Sequence, residues 1–316
     1  MAQKFEVTSD IINLNLTELA TSTIEEDINT FFADGKATYN GIINTIVANY
    51  LKYSDRVNIK LEFSYLDLKD ANSYSKRRIN VDTQNMIEYA NTLKVNDESV
   101  ALRCGYNVAK LMKLIIESYV RSLYINRQEL LFMDKFIAIE RADTLSILTI
   151  EKALLTLHKV GVFPAKESTF HYFVGIDQKN DSHSIKIMNM LEVSVPKKGI
   201  KVTKEIKEKE EQIIKEIYRN GPQFITFPSH DIKVRFTKQG ISDYYMRLIN
   251  RPFLKSKDGD IYTFYCSRKQ AFVYFSRFTY NVEILEPSKS RKEFKENFQK
   301  ALALYENTEA EETSNK

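Results

Sequence analysis

The chain has few of the residues that build metal sites and disulfides. Its 316 residues include two cysteines, Cys104 and Cys266, and four histidines. The cysteines form no CxxC pair, and the histidines show neither HExxH nor HxH spacing, which argues against a disulfide framework and a structural zinc site. We therefore expect no metal and a reducing, cytoplasmic location.

Glycine is also scarce, at nine residues. The sequence has no GxSxG, no P-loop and no glycine-rich dinucleotide turn, and no motif places its carboxylates. We therefore expect no catalytic residue, no cofactor and no enzymatic activity. No apolar run reaches the ~18 residues of a membrane span, and MAQKFEVTSD carries no basic-then-apolar signal, so we expect no membrane partner.

Tryptophan is absent, whereas tyrosine and phenylalanine number 18 and 19. The length suits two or three small domains, and 43% apolar with 28% charged residues is ordinary for globular proteins. The net charge of +4 does not by itself predict a polyanionic partner. The distribution of that charge is more informative.

The first 53 residues predict a strand followed by two helices. IINLNL alternates apolar and polar residues, as a half-buried strand does. The next segment predicts a helix capped by Ser22 or Thr23 and ended by Gly35. Thr38 then caps a helix with a continuous apolar face.

The same order recurs in residues 76–127. RINV at 78–81 predicts a strand, NMIEYANTL a first helix, and NVAKLMKLIIESYVRS a second one. The second helix aligns with TYNGIINTIVANYLKY at an offset of 69, with its apolar positions matched. This unit resembles the ribbon–helix–helix unit, in which two copies pair their strands, here either within one chain or across a dimer. Residues 54–75 are the predicted connector.

The remaining sequence predicts an α+β organisation with several short strands. Residues 128–200 begin with the amphipathic QELLFMDKFIAIERA and continue in strand-like runs. Residues 201–221 predict a charged linker helix with an Ile206, Ile213, Ile214, Ile217 stripe. Residues 222–306 predict strands, a helix, strands and a final helix, and the polar residues 307–316 predict a disordered tail.

One motif in the middle of the chain resembles a known family. HYFVG is similar to the signature of bacterial WYL-domain proteins, with His171 in the tryptophan place, Tyr172 as the motif tyrosine and Phe173 in the leucine place. IKIMNM resembles the arginine-containing strand that follows in the family. Lys186 stands for its first arginine and Asn189 for its second.

The C-terminal segments are similar to the WCX extension of many WYL proteins. These segments are HDIKVRF, RPFLKSKDGDIYTFYCS, QAFVYF and VEILEPSKSRKEFKENFQKALALY. The resemblance, from about residue 120 to 306, implies an SH3- or Sm-like β-barrel in the WYL domain, an α+β WCX domain, homodimers and nucleic-acid or nucleotide sensing. With its ribbon–helix–helix start, the chain resembles regulators that include the accessory proteins of type VI-D CRISPR systems.

The N-terminal charge is uneven. Residues 1–50 hold two basic and seven acidic residues, so the first ribbon lacks the charges that offset DNA phosphates. Residues 76–127 hold nine basic and five acidic residues. Arg77, Arg78 and Asn80 are therefore candidates for a DNA-contacting ribbon, although a basic dimerisation ribbon explains them equally well.

Residues 223–306 are the most positive segment, with fifteen basic and nine acidic residues. YTFYCSRKQAFVYFSRF predicts two neighbouring strands, with one face in the core and Tyr274 on a face that stacks bases, at ~1–3 kcal/mol per base. Together with the WYL positions, these considerations give the candidate nucleic-acid-binding residues: His171, Tyr172, Lys186, Asn189, Arg235, Arg251, Arg268, Lys269, Tyr274 and Arg277.

These patterns favour a non-enzymatic nucleic-acid-binding regulator that forms a homodimer. Within that class we favour an accessory protein that binds single-stranded RNA and modulates a type VI CRISPR RNA-guided RNase. The alternative is a DNA-binding transcriptional regulator that combines a ribbon–helix–helix reader with a ligand-sensing WYL domain. A third interpretation is a protein-interaction scaffold that binds no nucleic acid.

Overall fold

The structure is a computed structural model that describes residues 3–7, 9–32, 37–57, 59–68, 74–122, 126–166 and 169–314. The chain divides into two compact units, Met1–Glu140 and Arg141–Lys316. Both units mix helices with antiparallel strands, which confirms the α+β class.

The first unit is mainly helical. Its elements are β1 (Ile11–Asn15), α1 (Glu18–Phe31), α2 (Tyr39–Lys52), a 3-10 helix (Phe63–Asp67), β2 (Tyr74–Arg78), α3 (Val81–Ile87), a 3-10 helix (Glu88–Asn91), β3 (Lys94–Val95), β4 (Glu98–Ser99), α4 (Val100–Arg103), α5 (Val108–Arg121), α6 (Arg127–Leu131) and α7 (Met133–Glu140). The β3–β4 hairpin and α4, which lie between the two predicted helices of the second repeat, were not expected from the sequence.

The two N-terminal strands pair with each other inside one chain. β1 and β2 form an antiparallel ribbon in which Ile11 lies opposite Arg78 and Asn15 opposite Tyr74. The apolar faces of α2 and α5 pack together behind it, and the matched positions are buried except for the half-buried Val120. Of the two pairing modes that the sequence allowed, the chain adopts the intramolecular one.

Two N-terminal boundaries differ from the prediction. α1 begins after Thr17, whose hydroxyl accepts a hydrogen bond from the Ala20 N–H at 3.2 Å, whereas the Ser22 hydroxyl donates to the Glu18 carbonyl within the helix. β2 ends at Arg78 because Ile79 turns its side chain into the core and Val81 already starts α3. Thr38 caps α2 as predicted, and Gly35 lies outside the described residues.

A buried carboxylate fixes the junction between the ribbon and its helices. The fully buried Glu117 on α5 accepts hydrogen bonds from the Thr17 N–H at 2.7 Å and the Thr17 hydroxyl at 2.9 Å, and it also pairs with Arg121. A buried charge is tolerated only when it is paired and hydrogen-bonded, so these donors are required at this place. The start of α1 is thereby tied to α5.

The second unit contains two antiparallel sheets. Its elements are β5 (Thr144–Thr149), β6 (Leu154–Pro164), β7 (His171–Ile176), β8 (Ser182–Lys186), a 3-10 helix (Ile187–Asn189), β9 (Met190–Ser194), α8 (Lys204–Asn220), a 3-10 helix (Pro222–Phe224), β10 (Ser229–Phe236), α9 (Lys238–Met246), β11 (Phe253–Asp258), β12 (Ile261–Ser267), α10 (Arg268–Phe275), a 3-10 helix (Ser276–Asn281), β13 (Val282–Glu286) and α11 (Ser288–Ser314).

The first of these sheets has five strands in the order β8-β7-β6-β5-β9. Its outer strands, β8 and β9, are joined by a 3-10 turn and do not pair with each other, so the described strands form an open sheet and not the closed barrel predicted from the resemblance. Val174 and Ile176 on β7 pack against Ile206, Ile213 and Ile217 of α8. The predicted isoleucine stripe therefore covers one face of this sheet, with Ile214 only half-buried.

The second sheet, in the order β11-β12-β10-β13, carries the aromatic core. The prediction of two neighbouring strands in YTFYCSRKQAFVYFSRF is half wrong, because residues 268–275 form α10. Ser267 caps this helix by accepting a hydrogen bond from the Gln270 N–H at 3.2 Å. Ala271, Tyr274, Phe275 and Phe278 are all buried, and this spacing is typical of a helix.

α11 extends beyond the predicted end of the ordered chain. It continues to Ser314, so residues 307–314, predicted to be a disordered tail, are helical. The TEAEET stretch contains three glutamates and one alanine, residues of high helix propensity.

The intramolecular ribbon predicts the outcome of a cross-linking experiment. Asn13 and Lys76 lie opposite each other, so Asn13→Cys combined with Lys76→Cys is expected to form a disulfide within one chain under mild oxidation. Non-reducing electrophoresis should show a monomer, and a thiol count should return to the two native cysteines, which are both buried. The single variant Asn13→Cys is the control, and a covalent dimer of the double variant would show that strands pair between chains.

Close packing of α9 predicts a sensitive glycine. A Cβ atom on Gly240 would fall inside contact distance of the Asn281 carbonyl oxygen, which cannot move without shifting the backbone that leads into β13. We expect Gly240→Ala to lower the free energy of unfolding by about 1–3 kcal/mol, as overpacking does. Denaturant titration measures the loss, and Lys238→Ala, at an exposed position of the same helix, should change stability little. Equal stability of the two variants would contradict this packing.

Candidate nucleic-acid interface

Four of the candidate residues line one cavity of the second unit. The cavity, called cavity A below, has a volume of about 770 Å³ and is lined by Tyr172, Lys186, Asn189 and Lys269 among others. Tyr172 and Lys186 are direct partners across β7 and β8, so their side chains project from the same face of the sheet. Lys269 reaches the cavity from the start of α10.

The two lysines of cavity A lie against aromatic rings. The Lys186 Nζ is 4.0 Å from the centre of the Phe170 ring, and the Lys269 Nζ is 5.0 Å from that of Phe227. Partial burial lowers the pKa of Lys186 and raises the pKa of Tyr172. The charged form of Lys186 is thus poorly solvated, and an anion bound in cavity A would stabilise that form.

The cavity also contains polar groups that sequence reasoning missed. The Gln223 Nε2 donates to the Asn250 Oδ1 at 3.1 Å. The Gln223 Oε1 and the Ser184 Oγ are buried, and neither has a hydrogen-bond partner among the described residues. A buried polar atom without a partner costs about 1–3 kcal/mol, so these two atoms are poised to bond a ligand. In the sequence, NGP at 220–222 indicates only a boundary. No pattern there indicates that the polar groups of Gln223 and Asn250 line a cavity.

His171 does not line cavity A with its neighbour Tyr172. Successive residues of a strand point to opposite faces, and the next residue on the His171 face, Phe173, is fully buried. Burial lowers the pKa of His171, which favours its neutral form. The structure therefore places this candidate away from the lysines.

Two candidate arginines, Arg235 and Arg251, are engaged in protein contacts. Arg235 pairs with Glu283 at 3.3 Å and Asp260 at 3.7 Å. Arg251 donates to the carbonyls of Tyr244 and Tyr245, which lie near the end of α9. These contacts neutralise Arg235 and use Arg251 as a helix cap.

The other two arginines lie on the surface near α10. Arg277 is exposed and donates to the Ile249 carbonyl at 3.2 Å, and Ile249 lines cavity A. Arg268 is exposed at the first position of α10, directly before Lys269. Both extend the positive surface beside cavity A.

Tyr274 is not a stacking residue. Its side chain is fully buried in the aromatic core, and its hydroxyl donates to the Arg247 carbonyl at 2.9 Å. Burial raises the pKa of Tyr274 to about 12. The prediction failed because the stretch was assigned the period of a strand, whereas α10 turns this ring inward.

One of the three cations on β2 of the first unit is held in an ion pair. Arg78 pairs with Asp10 at 2.9 Å, and the Arg77 guanidinium lies 4.4 Å from the centre of the Tyr39 ring. Asn80 is exposed and lies after the end of β2, where its N–H donates to the Asn44 Oδ1 at 3.0 Å. The three ribbon candidates are thus not brought together as a base-reading face on one strand.

Within the described residues, no helix combines the length and the apolar character needed to cross a membrane.

Comparison with solved structures finds a protein of the same fold. A CRISPR Cas-related protein matches with a TM-score of 0.69 and 18% identity over 94% of each chain, which at this identity shows a shared fold alone. The proteasome accessory factor B/C (PafBC) of Arthrobacter aurescens aligns with a TM-score of 0.27 and 13% identity, over 75% of this chain and 38% of that one. No protein-family model and no curated protein matches the chain.

The burial of Tyr274 predicts a structural phenotype. Tyr274→Phe removes the hydrogen bond to Arg247, whose carbonyl also accepts a bond from Arg251 at 3.1 Å. We expect a loss of about 1 kcal/mol in the free energy of unfolding and no change in affinity for any oligonucleotide. Thermal unfolding and fluorescence anisotropy measure the two effects. Tyr280→Phe, at an exposed ring, is the control, and weaker binding without a stability loss in Tyr274→Phe would contradict this assignment.

Proposed function

We propose that this protein is a non-catalytic regulator that binds single-stranded RNA at cavity A. The observation that carries the proposal is that Lys269, from the distant α10, meets Tyr172, Lys186 and Asn189 around one cavity. Lysines, an aromatic hydroxyl and amides are the groups that bind unpaired nucleotides.

Each group in cavity A has a role in this proposal. Lys186 and Lys269 hold phosphates, because their Nζ atoms are cationic and face only one lining carboxylate, that of Glu151. The Tyr172 ring offers a partly exposed face for stacking. The Gln223 Oε1 and the Ser184 Oγ provide hydrogen-bond capacity that the protein does not use itself.

Several features support a wider assignment. We propose that residues 128–200 form a WYL domain, that residues 222–306 form a WCX domain, and that residues 1–53 and 76–127 form a tandem ribbon–helix–helix pair. The CRISPR Cas-related protein of similar fold supports a role beside a type VI CRISPR effector nuclease. Because the ribbon closes within one chain, the proposed homodimer would use another surface.

The ribbon argues for single strands over duplex DNA. A reader of the major groove neutralises phosphates with free lysines and arginines. In the ribbon Arg78 is held by Asp10, which leaves Arg77 and Lys76. Cavity A combines its two lysines with amides and the partly exposed Tyr172 ring, which suits unpaired bases better than a duplex.

Binding measurements test the proposal at fixed salt. Single-stranded RNA, single-stranded DNA and duplex DNA of one sequence are titrated against the protein by fluorescence anisotropy. Lys186→Gln with Lys269→Gln is expected to weaken RNA binding and to reduce the salt slope by about 1.4, at ~0.7 per lost phosphate contact. Tyr172→Leu should weaken binding by about 1–3 kcal/mol with little change in slope, because a ring releases no counterions.

The matched control keeps the change in net charge and moves it to another surface. Lys295→Gln with Lys300→Gln, at exposed positions of α11, should bind RNA like the parent. Tighter binding of duplex DNA would favour the DNA-binding transcriptional regulator. No binding to any of the three substrates near physiological salt would favour an interaction scaffold, and either result would overturn the proposal.

A further inference from the structure

A second cavity lies next to cavity A within the same unit. It is called cavity B, has a volume of about 650 Å³, and is lined by Lys209, Glu216 and Arg219 of α8 and by Phe227, Ser229 and Tyr265, among others. None of the candidate residues from the sequence lines it.

The two cavities share a wall. Thr226 lines both of them, and Phe227 of cavity B lies under the Nζ of Lys269, which lines cavity A. The edge strand β8 runs past both, with Ser182 in cavity B and Lys186 in cavity A. At about 3.3 Å per residue these two positions are ~13 Å apart, so the cavities form consecutive parts of one path.

The chemistry of cavity B suits a nucleotide backbone with a stacked base. The Arg219 guanidinium carbon is 5.6 Å from the ring centres of both Phe253 and Tyr265, so it is flanked by aromatic faces. The Phe227 ring is 44% exposed, which leaves surface for stacking.

Arg219 is only weakly neutralised by its nearest carboxylate. Its Nη1 is 3.5 Å from the Glu216 Oε1, the outer limit of a hydrogen bond. The other oxygen of Glu216 accepts bonds from the Ser229 hydroxyl at 2.8 Å and from Asn220 at 3.3 Å. The carboxylate is thus held by neutral donors, and a phosphate has room to pair with Arg219.

We propose that cavity B holds the nucleotides that follow those in cavity A, so that one single strand crosses the wall at Thr226. This inference rests on the proposed function, because it takes cavity A as the first contact of the strand. It predicts that the length of the oligonucleotide decides which residues contribute to its affinity. A mononucleotide occupies cavity A alone, whereas a longer strand also reaches Lys209 and Arg219.

A length series tests this path. Nucleoside monophosphate and labelled RNA oligonucleotides of two to eight nucleotides are titrated against the parent and against Lys209→Gln with Arg219→Gln. The variant should bind the monophosphate like the parent, which also shows that it is folded. Its affinity for the longer strands should fall about tenfold or more, with a salt slope smaller by about 1.4.

The controls separate the two proposals. Lys204→Gln with Lys207→Gln changes the net charge by the same amount, at exposed positions of α8 that do not line cavity B. This control variant should bind RNA of every length like the parent. If the long strands bind the cavity B variant as tightly as the parent while Lys186→Gln with Lys269→Gln still weakens them, the path is wrong and cavity A stands. If the cavity A variant also binds like the parent, the proposed function itself fails.

Discussion

The second unit depends on one buried asparagine at the end of α8. The Oδ1 of Asn220 accepts the Phe253 N–H at 3.1 Å, its Nδ2 donates to the Tyr265 carbonyl at 3.1 Å, and its own carbonyl accepts a bond from the Gln270 side chain at 3.3 Å. The helix that covers the five-stranded sheet is thereby joined to β11, β12 and α10 of the other sheet. Since a buried amide must satisfy its hydrogen-bonding groups, the chain leaves α8 in one direction, through Gly221 at a φ of +90°. The segment that separates the two cavities starts there.

Which cations are free matters more than how many the chain contains. Arg78, Arg235 and Arg251 are held by carboxylates or carbonyls of the protein, whereas Lys186 and Lys269 lie only on aromatic rings. A lysine on a ring keeps its charge available to an anion, because the ring provides no opposing formal charge. Lys186 and Lys269 therefore provide cationic binding capacity in the cavity that Gln223 and Thr226 also line.

In the first unit, charged side chains are buried and paired with each other or with polar groups, whereas the lysines of cavity A are available to a ligand. Glu117 and Asp27 are buried carboxylates, and their partners Thr17 and Tyr119 come from helices or helix ends distant in sequence, whereas Arg121 lies one turn along α5 from Glu117. Burial raises the pKa of Asp27, an effect that the hydrogen bond from Tyr119 opposes. Such a network specifies how helices meet, because each buried charge accepts only a geometry that supplies its donors. The unit is thus built around internal pairing, which agrees with a ribbon closed within one chain.

The sequence by itself determined the α+β class, the apolar faces of α2 and α5, and the Tyr172 and Lys186 positions, since each of these follows from local periodicity or a local motif. Only the tertiary structure decided that Tyr274 is core, that Arg78 is neutralised and that Lys269 joins Tyr172 around a cavity. Those outcomes depend on contacts between residues distant in the chain, 27 positions apart for the Tyr274–Arg247 bond and 68 for the Arg78–Asp10 bond. Patterns in a single sequence indicate which face of an element is apolar. The partner that buries or neutralises a side chain is set by packing. Packing alone also placed the two cavities on either side of the short segment that contains Thr226.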